Sequence, residues 1–177
     1  MPYSDPAFDK QVENFLVKHK FQKYIDIGSG SGKYGKMIKK NLPDSYVVAI
    51  EGDNSYINKF RLKKTYDEVH NSNIETFFED KPDFTTDIVI IGDCIEHLKK
   101  SDGVDLINYL VYRCHYILIV FPSKYIQYAH DGHYLESHRS VWTKYDFLPF
   151  DHNYHTKGYM NLVIVKGYIG DPESVYP

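Results

Sequence analysis

The sequence predicts a single α/β domain built around a mostly parallel β-sheet, and two observations support this fold class. Continuous apolar runs recur along the chain, at residues 46–50, 87–92 and 116–121. Such runs are typical of strands buried on both faces of a parallel sheet. The segments between them, such as residues 101–111, carry apolar side chains at the spacing of an amphipathic helix. Strands that alternate with helices over short connections predict a parallel sheet with helices on both faces.

The composition is that of a globular domain without a basic surface. The 177 residues are 42% hydrophobic and 25% charged, which suits one domain with a sizeable core. The formal net charge of −3 gives no global basic field, which disfavours a nucleic-acid partner. The first residues show no targeting signal and no apolar run reaches membrane-spanning length, so we expect a cytoplasmic protein without a membrane partner. Cys94 and Cys114 are expected to be free thiols.

The most informative stretch is a glycine-rich turn between a short apolar strand and a helix-forming segment. Residues 24–35 read Tyr-Ile-Asp-Ile-Gly-Ser-Gly-Ser-Gly-Lys-Tyr-Gly. Glycine permits a positive φ and lets a ligand approach the backbone, and the first N–H groups of the next helix can bind negative or polar atoms. The spacing excludes a phosphate-binding P-loop, because three residues separate Gly28 from Gly32 and Tyr34 follows Lys33. A dinucleotide site needs G-x-G-x-x-G directly after the strand, and this sequence does not meet that condition. A dinucleotide site and a turn without a ligand both stay open as alternatives.

The remaining pattern, an acid followed by three alternating glycines and beginning at Asp26, resembles the first motif of the class I S-adenosylmethionine-dependent methyltransferases. The order of elements is similar to that family from about residue 20 to 122. The resemblance implies a three-layer α/β/α domain whose mostly parallel, seven-stranded sheet ends in a C-terminal antiparallel hairpin. It also implies S-adenosylmethionine as the cofactor. We expect residues 1–177 to form one methyltransferase-like domain, with an N-terminal helix in residues 1–20 covering the sheet.

Polar residues at the ends of later strands complete the expected cofactor site. Glu51 ends the second strand about 20 residues after the glycines, where a carboxylate can accept hydrogen bonds from two ribose hydroxyls. The resemblance implies that Asn73, near the end of a weaker third strand at 69–74, holds the adenine amino group, and that Asp93 lies at the mouth of the site. The residues predicted to bind the cofactor are Asp26, Gly28, Ser29, Gly30, Gly32, Tyr34, Glu51, Gly52, Asp53, Asn73, Ile74 and Asp93.

Histidines and aromatic rings crowd the segment after the fifth strand, residues 123–142. Because loops after the strands carry function in such folds, we expect this segment to form the substrate side of the site. The candidate general bases, of which one or two at most would act, are His97, His130, His133 and His138. The three histidines of the segment, with Glu136, could also supply metal ligands, but their spacing is not diagnostic and we predict no metal. A purely structural role for the segment stays open.

The leading functional prediction is methyl transfer from S-adenosylmethionine to a hydroxyl, amine or similar group of a small molecule. The chain is compact and carries no basic surface signal, which favours a small-molecule acceptor over a macromolecule. Two alternatives stay open: a nucleic-acid or protein methyltransferase, and a protein that binds the cofactor without turnover. A homo-oligomer is compatible with each of these functions.

Overall fold

The structure, a computed structural model, describes residues 4–79, 81, 83–129 and 134–170. Its seven strands are β1 (Lys23–Ile27), β2 (Tyr46–Glu51), β3 (Glu68–Asn71), β4 (Ile88–Gly92), β5 (Tyr116–Pro122), β6 (His152–Lys157) and β7 (Met160–Lys166). They form one sheet in the order β3-β2-β1-β4-β5-β7-β6. Strands β1 to β5 pair in parallel, and β7 is antiparallel to both β5 and β6. The predicted fold class, including the C-terminal antiparallel hairpin, is confirmed.

Helices cover both faces of this sheet and give three layers. The α-helices are α1 (Asp9–His19), α2 (Lys33–Asn41), α3 (Asn54–Lys59), α4 (Ile74–Phe77) and α5 (Lys100–Leu110). Single 3-10 turns lie at Pro6–Phe8, Leu62–Lys64, Ile95–His97, Tyr134–Glu136 and Lys144–Phe147. On one face, Leu16 of α1 and Ile38 of α2 join an apolar cluster with β-strand side chains. On the other face, Leu110 of α5 joins a second cluster with Trp142 and Phe147.

The third strand differs from its prediction. It spans Glu68–Asn71 instead of residues 69–74, and its side chains are exposed or half-buried. Asn73 lies after the end of the strand and directly precedes α4, which begins at Ile74. This strand lies at the edge of the sheet, where a strand needs no continuous apolar run. The pattern of apolar residues therefore does not mark where the strand ends.

The two edge strands of the sheet are polar. β6 reads His-Asn-Tyr-His-Thr-Lys, and four of its six residues are exposed. The opposite edge strand, β3, has only four residues. The apolar strands β4, β5 and β7 all lie inside the sheet, so their backbone groups are paired on both sides.

A buried carboxyl group supports the glycine turn from behind. Asp26, in β1, is 1% exposed, and its Oδ2 accepts a hydrogen bond from the Tyr66 hydroxyl at 2.5 Å. The same hydroxyl accepts the N–H of Gly35 in α2 at 3.2 Å. Burial raises the pKa of Asp26 to about 7. The strand, the first turn of α2 and the approach to β3 therefore meet at one polar contact inside the core.

The described part of the chain contains no helix with both the length and the apolar character of a membrane span.

We expect replacement of a central core residue to test the packing of the sheet. Ile90 of β4 is fully buried, so Ile90→Ala removes packed methyl groups and should lower the free energy of unfolding by about 2–5 kcal/mol in urea denaturation. Ile126, which is 71% exposed, provides the control. Ile126→Ala should change the free energy of unfolding by less than about 0.5 kcal/mol. Equal effects of the two substitutions would contradict the described packing.

The Asp26 carboxyl should make stability depend on pH. Its folded pKa of about 7 lies above the ordinary value of 3.8, so the folded state binds more protons between these values. The contribution of Asp26 to stability should therefore fall as pH rises from about 4 to 7 and then level off. We expect Asp26→Asn to gain stability relative to the unmodified protein across this window, measured by urea denaturation at several pH values. Asp44→Asn, at an exposed position, controls for the loss of one charge; a flat difference for Asp26→Asn would contradict the assignment.

Candidate functional site

Two neighbouring cavities lie at the edge of the sheet where the parallel strands end. The first measures about 820 Å³ and the second about 720 Å³, in each case including the part open to solvent. Ser4, Asp93 and His97 line both, so the cavities meet at these residues. Open α/β sheets bind ligands at this edge. The pair of cavities is therefore the candidate functional site.

The glycine turn forms one wall of the first cavity. Gly28, Gly30 and Gly32 have φ values of 67°, 48° and 77°, a region that side chains with a Cβ rarely adopt. A Cβ at Gly28 would also lie 2.3 Å from the Sγ of Cys94, so no larger residue fits there. The Gly28 N–H donates to the carbonyl oxygen of Ile50 at 2.9 Å, which fixes the turn against β2.

The Glu51 carboxylate joins this turn to the end of β2. Its Oε2 accepts the N–H of Gly30 at 2.7 Å, and its Oε1 accepts the N–H of Asp53 at 2.9 Å. The side chain is buried, and burial raises the pKa of the Glu51 carboxyl. Each carboxylate oxygen has more than one lone pair, so the group can accept further hydrogen bonds from a ligand in the cavity that it lines.

The charged residues of the first cavity are mainly acidic. The carboxylates among its described lining residues are Glu51, Asp53, Glu75, Asp93 and Glu136. Arg139 is the one Lys or Arg in the described lining, and its Nη1 lies 3.8 Å from Oε1 of Glu75. Such a lining favours a cationic ligand over the pyrophosphate of a dinucleotide. The dinucleotide alternative therefore loses support.

Asp93 lines both cavities. It follows β4 directly, has a φ of 48°, and its N–H donates to the carbonyl oxygen of Val120 at 2.8 Å. Its Oδ2 accepts the N–H of Asp5 at 3.1 Å, which holds the N-terminal segment against the strand end. Burial raises the pKa of Asp93 to about 6. A left-handed conformation for a non-glycine residue at this position is a strained feature of the kind that clusters at functional sites.

The second cavity is lined by carboxylates and rings. Asp5, Asp93 and Glu96 contribute carboxyl groups, and Tyr125 and Tyr159 contribute phenol rings. Among the described residues of this lining there is no Lys or Arg. The cavity therefore suits a neutral or cationic molecule better than an anion.

His97 and His138 meet where the two cavities join. Their ring centroids lie 4.9 Å apart, nearly perpendicular to each other. Nδ1 of His97 lies 3.2 Å from the carbonyl oxygen of Ser137, and Nδ1 of His138 lies 3.0 Å from that of Tyr125. Burial lowers the pKa of His97 to about 4 and also lowers the pKa of His138. Both imidazoles are therefore neutral near pH 7.

The structure brings most of the predicted cofactor residues to the first cavity. Those that line it are Gly28, Gly30, Glu51, Gly52, Asp53, Asn73, Ile74 and Asp93. Asp26, Ser29, Gly32 and Tyr34 line neither cavity. Asp26, Ser29 and Tyr34 are also buried, so they support the turn from behind, where any effect on a ligand is indirect.

Two of the four candidate bases, His130 and His133, lie outside the described residues.

Several lining residues of the first cavity are not among those that the sequence predicts to bind the cofactor. They include Ser4, Tyr56, Glu75, Leu135, Glu136 and Arg139. The Tyr56 hydroxyl donates to Oε1 of Glu136 at 2.8 Å, which connects α3 to the segment after β5. Tyr56 and Glu75 lie in the first turns of helices that follow β2 and β3, and this position could have identified them. Leu135, Glu136 and Arg139 belong to the segment 123–142, and they line the first cavity.

Comparisons with known proteins identify the fold. The sequence matches no protein-family model and no curated protein. Among solved structures, the chain is similar to an O-methyltransferase family protein from Burkholderia thailandensis, with a TM-score of 0.66 and 11% identity over 93% of this chain and 57% of that one. It is also similar to the plantazolicin methyltransferase BpumL in complex with SAH, with a TM-score of 0.68 and 13% identity over 93% of this chain and 86% of that one.

A third similar structure is the magnesium protoporphyrin IX methyltransferase of Synechocystis PCC 6803 with bound SAM, with a TM-score of 0.65 and 12% identity over 90% of this chain and 77% of that one. Identities at this level establish the fold alone. The chain has the fold of the class I S-adenosylmethionine-dependent methyltransferases.

Proposed function

We propose that this chain is an S-adenosylmethionine-dependent methyltransferase that acts on a small-molecule acceptor. The observation that carries the proposal is the first cavity itself, where an acidic lining surrounds a glycine turn and a buried glutamate at the end of β2. A ligand with vicinal hydroxyls and a positive charge matches both features. The methyltransferase fold, and the SAM or SAH bound in similar structures, support the same assignment.

The residues of the first cavity fit this cofactor. Glu51 would accept hydrogen bonds from the ribose hydroxyls, and Gly28 and Gly30 would leave room for the methionyl end beside the turn. Asn73 and Ile74, which lie next to each other beyond β3, would hold the adenine through a polar contact and an apolar contact. Bound S-adenosylmethionine would supply an electrophilic methyl group on a positively charged sulfur.

The protein's contribution to the reaction would be mainly positioning. Asp93 borders both cavities and would offset positive charge where donor and acceptor meet. The second cavity would hold the acceptor group in line with the methyl group and exclude bulk water. Positioning of this kind can supply about 7–11 kcal/mol of the barrier reduction.

The second cavity supports a small-molecule acceptor over a macromolecule. Nucleic-acid sites need clustered Lys and Arg, and no such residue occurs in the described lining. Tyr125 and Tyr159 offer ring faces and hydroxyls to a compact polar molecule. The expected acceptor group is a hydroxyl or an amine.

Calorimetric titration tests the cofactor assignment. We expect heat of binding with S-adenosylmethionine and with its demethylated product, and none with reduced dinucleotides. Methyl-labelled donor, incubated with the protein and a metabolite extract, should then label a small molecule. Label in RNA or protein fractions would favour the macromolecular alternative, and binding of a dinucleotide alone would refute the proposal.

Replacement of Glu51 should weaken donor binding selectively. Glu51→Gln keeps the size of the side chain but removes the charge that strengthens its hydrogen bonds, each worth about 1.5–3 kcal/mol. We expect the Kd for S-adenosylmethionine, measured by calorimetry, to rise about tenfold to a hundredfold.

Glu13→Gln is the matched control for this variant. Glu13 lies in α1, outside both cavities, and should leave the Kd unchanged. Circular dichroism checks that both variants are folded. An unchanged Kd in a folded Glu51→Gln protein would show that the carboxylate does not bind the ribose.

A further inference from the structure

Three metal-ligating side chains converge at the junction of the two cavities. One ligand atom each from Glu96, His97 and His138 can be chosen so that all three lie within 4.8 Å of one another. Glu96 and His97 belong to the 3-10 turn after β4, and His138 follows β5. The N–H groups of Arg139 and Ser140 both donate to the backbone carbonyl oxygen of Glu96, at 2.8 and 3.0 Å. The two segments that carry the ligands are therefore fixed to each other by backbone hydrogen bonds.

Backbone carbonyl groups determine which ring nitrogen of each histidine is available. A carbonyl oxygen only accepts hydrogen bonds, so the contacts of Nδ1 with Ser137 and Tyr125 place the proton on Nδ1 in both rings. Nε2 then keeps its lone pair in each neutral imidazole. Histidines that bind metals are commonly oriented in this way, with the other N–H donated to a carbonyl oxygen.

One oxygen of the Glu96 carboxyl group lacks a hydrogen-bond donor among the described residues. The side chain is almost completely buried, and the oxygen in question is Oε2. Its Oε1 lies 4.0 Å from Nε2 of His138, which is beyond hydrogen-bond distance. A buried carboxyl oxygen without a partner is costly, and a bound cation would satisfy it together with both imidazoles.

We propose that Glu96, His97 and His138 bind one divalent first-row transition-metal cation, of the class of Zn²⁺, Mn²⁺ or Co²⁺. Two imidazoles and one carboxylate suit these cations, whereas Ca²⁺ and Mg²⁺ prefer ligand sets made of oxygen alone. Three protein ligands leave coordination positions open for an exogenous molecule. Because Glu96, His97 and His138 line the second cavity, such a molecule would bind there.

The proposed site departs from the sequence prediction of no metal, and its ligands differ from the residues that the sequence offered as ligands. Oε1 of Glu136 accepts the Tyr56 hydroxyl, and Glu136 is not part of the converging group. Glu96 and His97 follow β4, where the sequence predicts Asp93 at the mouth of the site and His97 as a candidate general base. His138 alone is common to both sets of residues.

The role of the cation rests on the proposed methyl transfer, whereas its binding does not. A bound cation lowers the pKa of a coordinated hydroxyl group. The acceptor O–H bond would break and its proton would pass to water, after which an oxygen lone pair would form the new O–C bond. The electrons of the broken C–S bond would stay on sulfur. His97 would then act as a metal ligand, and no general base would be needed.

Cobalt titration tests the site directly. The full chain without an affinity tag, treated with EDTA and desalted, should bind one Co²⁺ per chain with visible absorption of low-symmetry Co²⁺. His138→Ala and Glu96→Gln should each weaken Co²⁺ binding about tenfold or more. Removing a residue that only hydrogen-bonds to a metal ligand already weakens metal binding about tenfold, so loss of a ligand should weaken it at least as much. His70→Ala is the matched control, because His70 pairs with Glu68 at 3.0 Å on β3 but belongs to no converging group of three among the described residues.

Thermal unfolding guards against misfolded variants. Co²⁺ should raise the Tm of the unmodified protein and of His70→Ala, and should not raise that of His138→Ala. Should Glu96→Gln fail to fold, the comparison of His138→Ala with His70→Ala still decides the question. No Co²⁺ uptake, or uptake that His138→Ala retains in full, would overturn the proposal.

Donor titration separates this proposal from the proposed function. S-adenosylmethionine binding, measured on metal-free protein, depends on first-cavity residues such as Glu51. Loss of donor binding with an intact Co²⁺ site would remove the methyltransferase assignment alone. Donor binding without a Co²⁺ site would remove the cation site alone.

Discussion

The Glu51 carboxylate is the contact on which the rest of the site depends. It accepts one N–H from the glycine turn and one from the residues after β2, so two strand ends share a single buried anion. The turn can take this path only because its glycines tolerate positive φ. Position 28 also requires glycine because Cys94 leaves no space for a Cβ there. The wall of the first cavity is thus a property of the fold, formed without a ligand.

The parts of the fold that could be read from the sequence are those with a strong local signal. The apolar runs of β4 and β5 and the alternating glycines after β1 have few structural interpretations, and each lies where it was expected. The position of Glu51 followed from the same logic, since parallel strands end at one edge of the sheet. The sequence, by contrast, predicts the third strand at residues 69–74, whereas β3 spans Glu68–Asn71. An edge strand does not need a continuous apolar run, so the pattern gives no clear bounds for it.

Contacts between distant segments could not be predicted in this way. Asp26 was expected to act near the cofactor because its motif position suggests it, yet its partner is Tyr66, in a loop that carries no recognisable signal. Likewise, nothing local to His138 indicates that it meets Glu96, since the contact depends on how the segment after β5 returns across the end of β4. The chemistry of the junction therefore becomes visible only once the chain is folded.

The polar edge strands have a consequence for self-association. β6 exposes most of its side chains, including Lys157, and β3 is short, so neither offers a long apolar template to which another chain could add a strand. β7 lies between β5 and β6, so the strongly apolar strands β4, β5 and β7 are not at the edge of the sheet. Assembly by continuation of the sheet from one molecule into the next is thereby disfavoured.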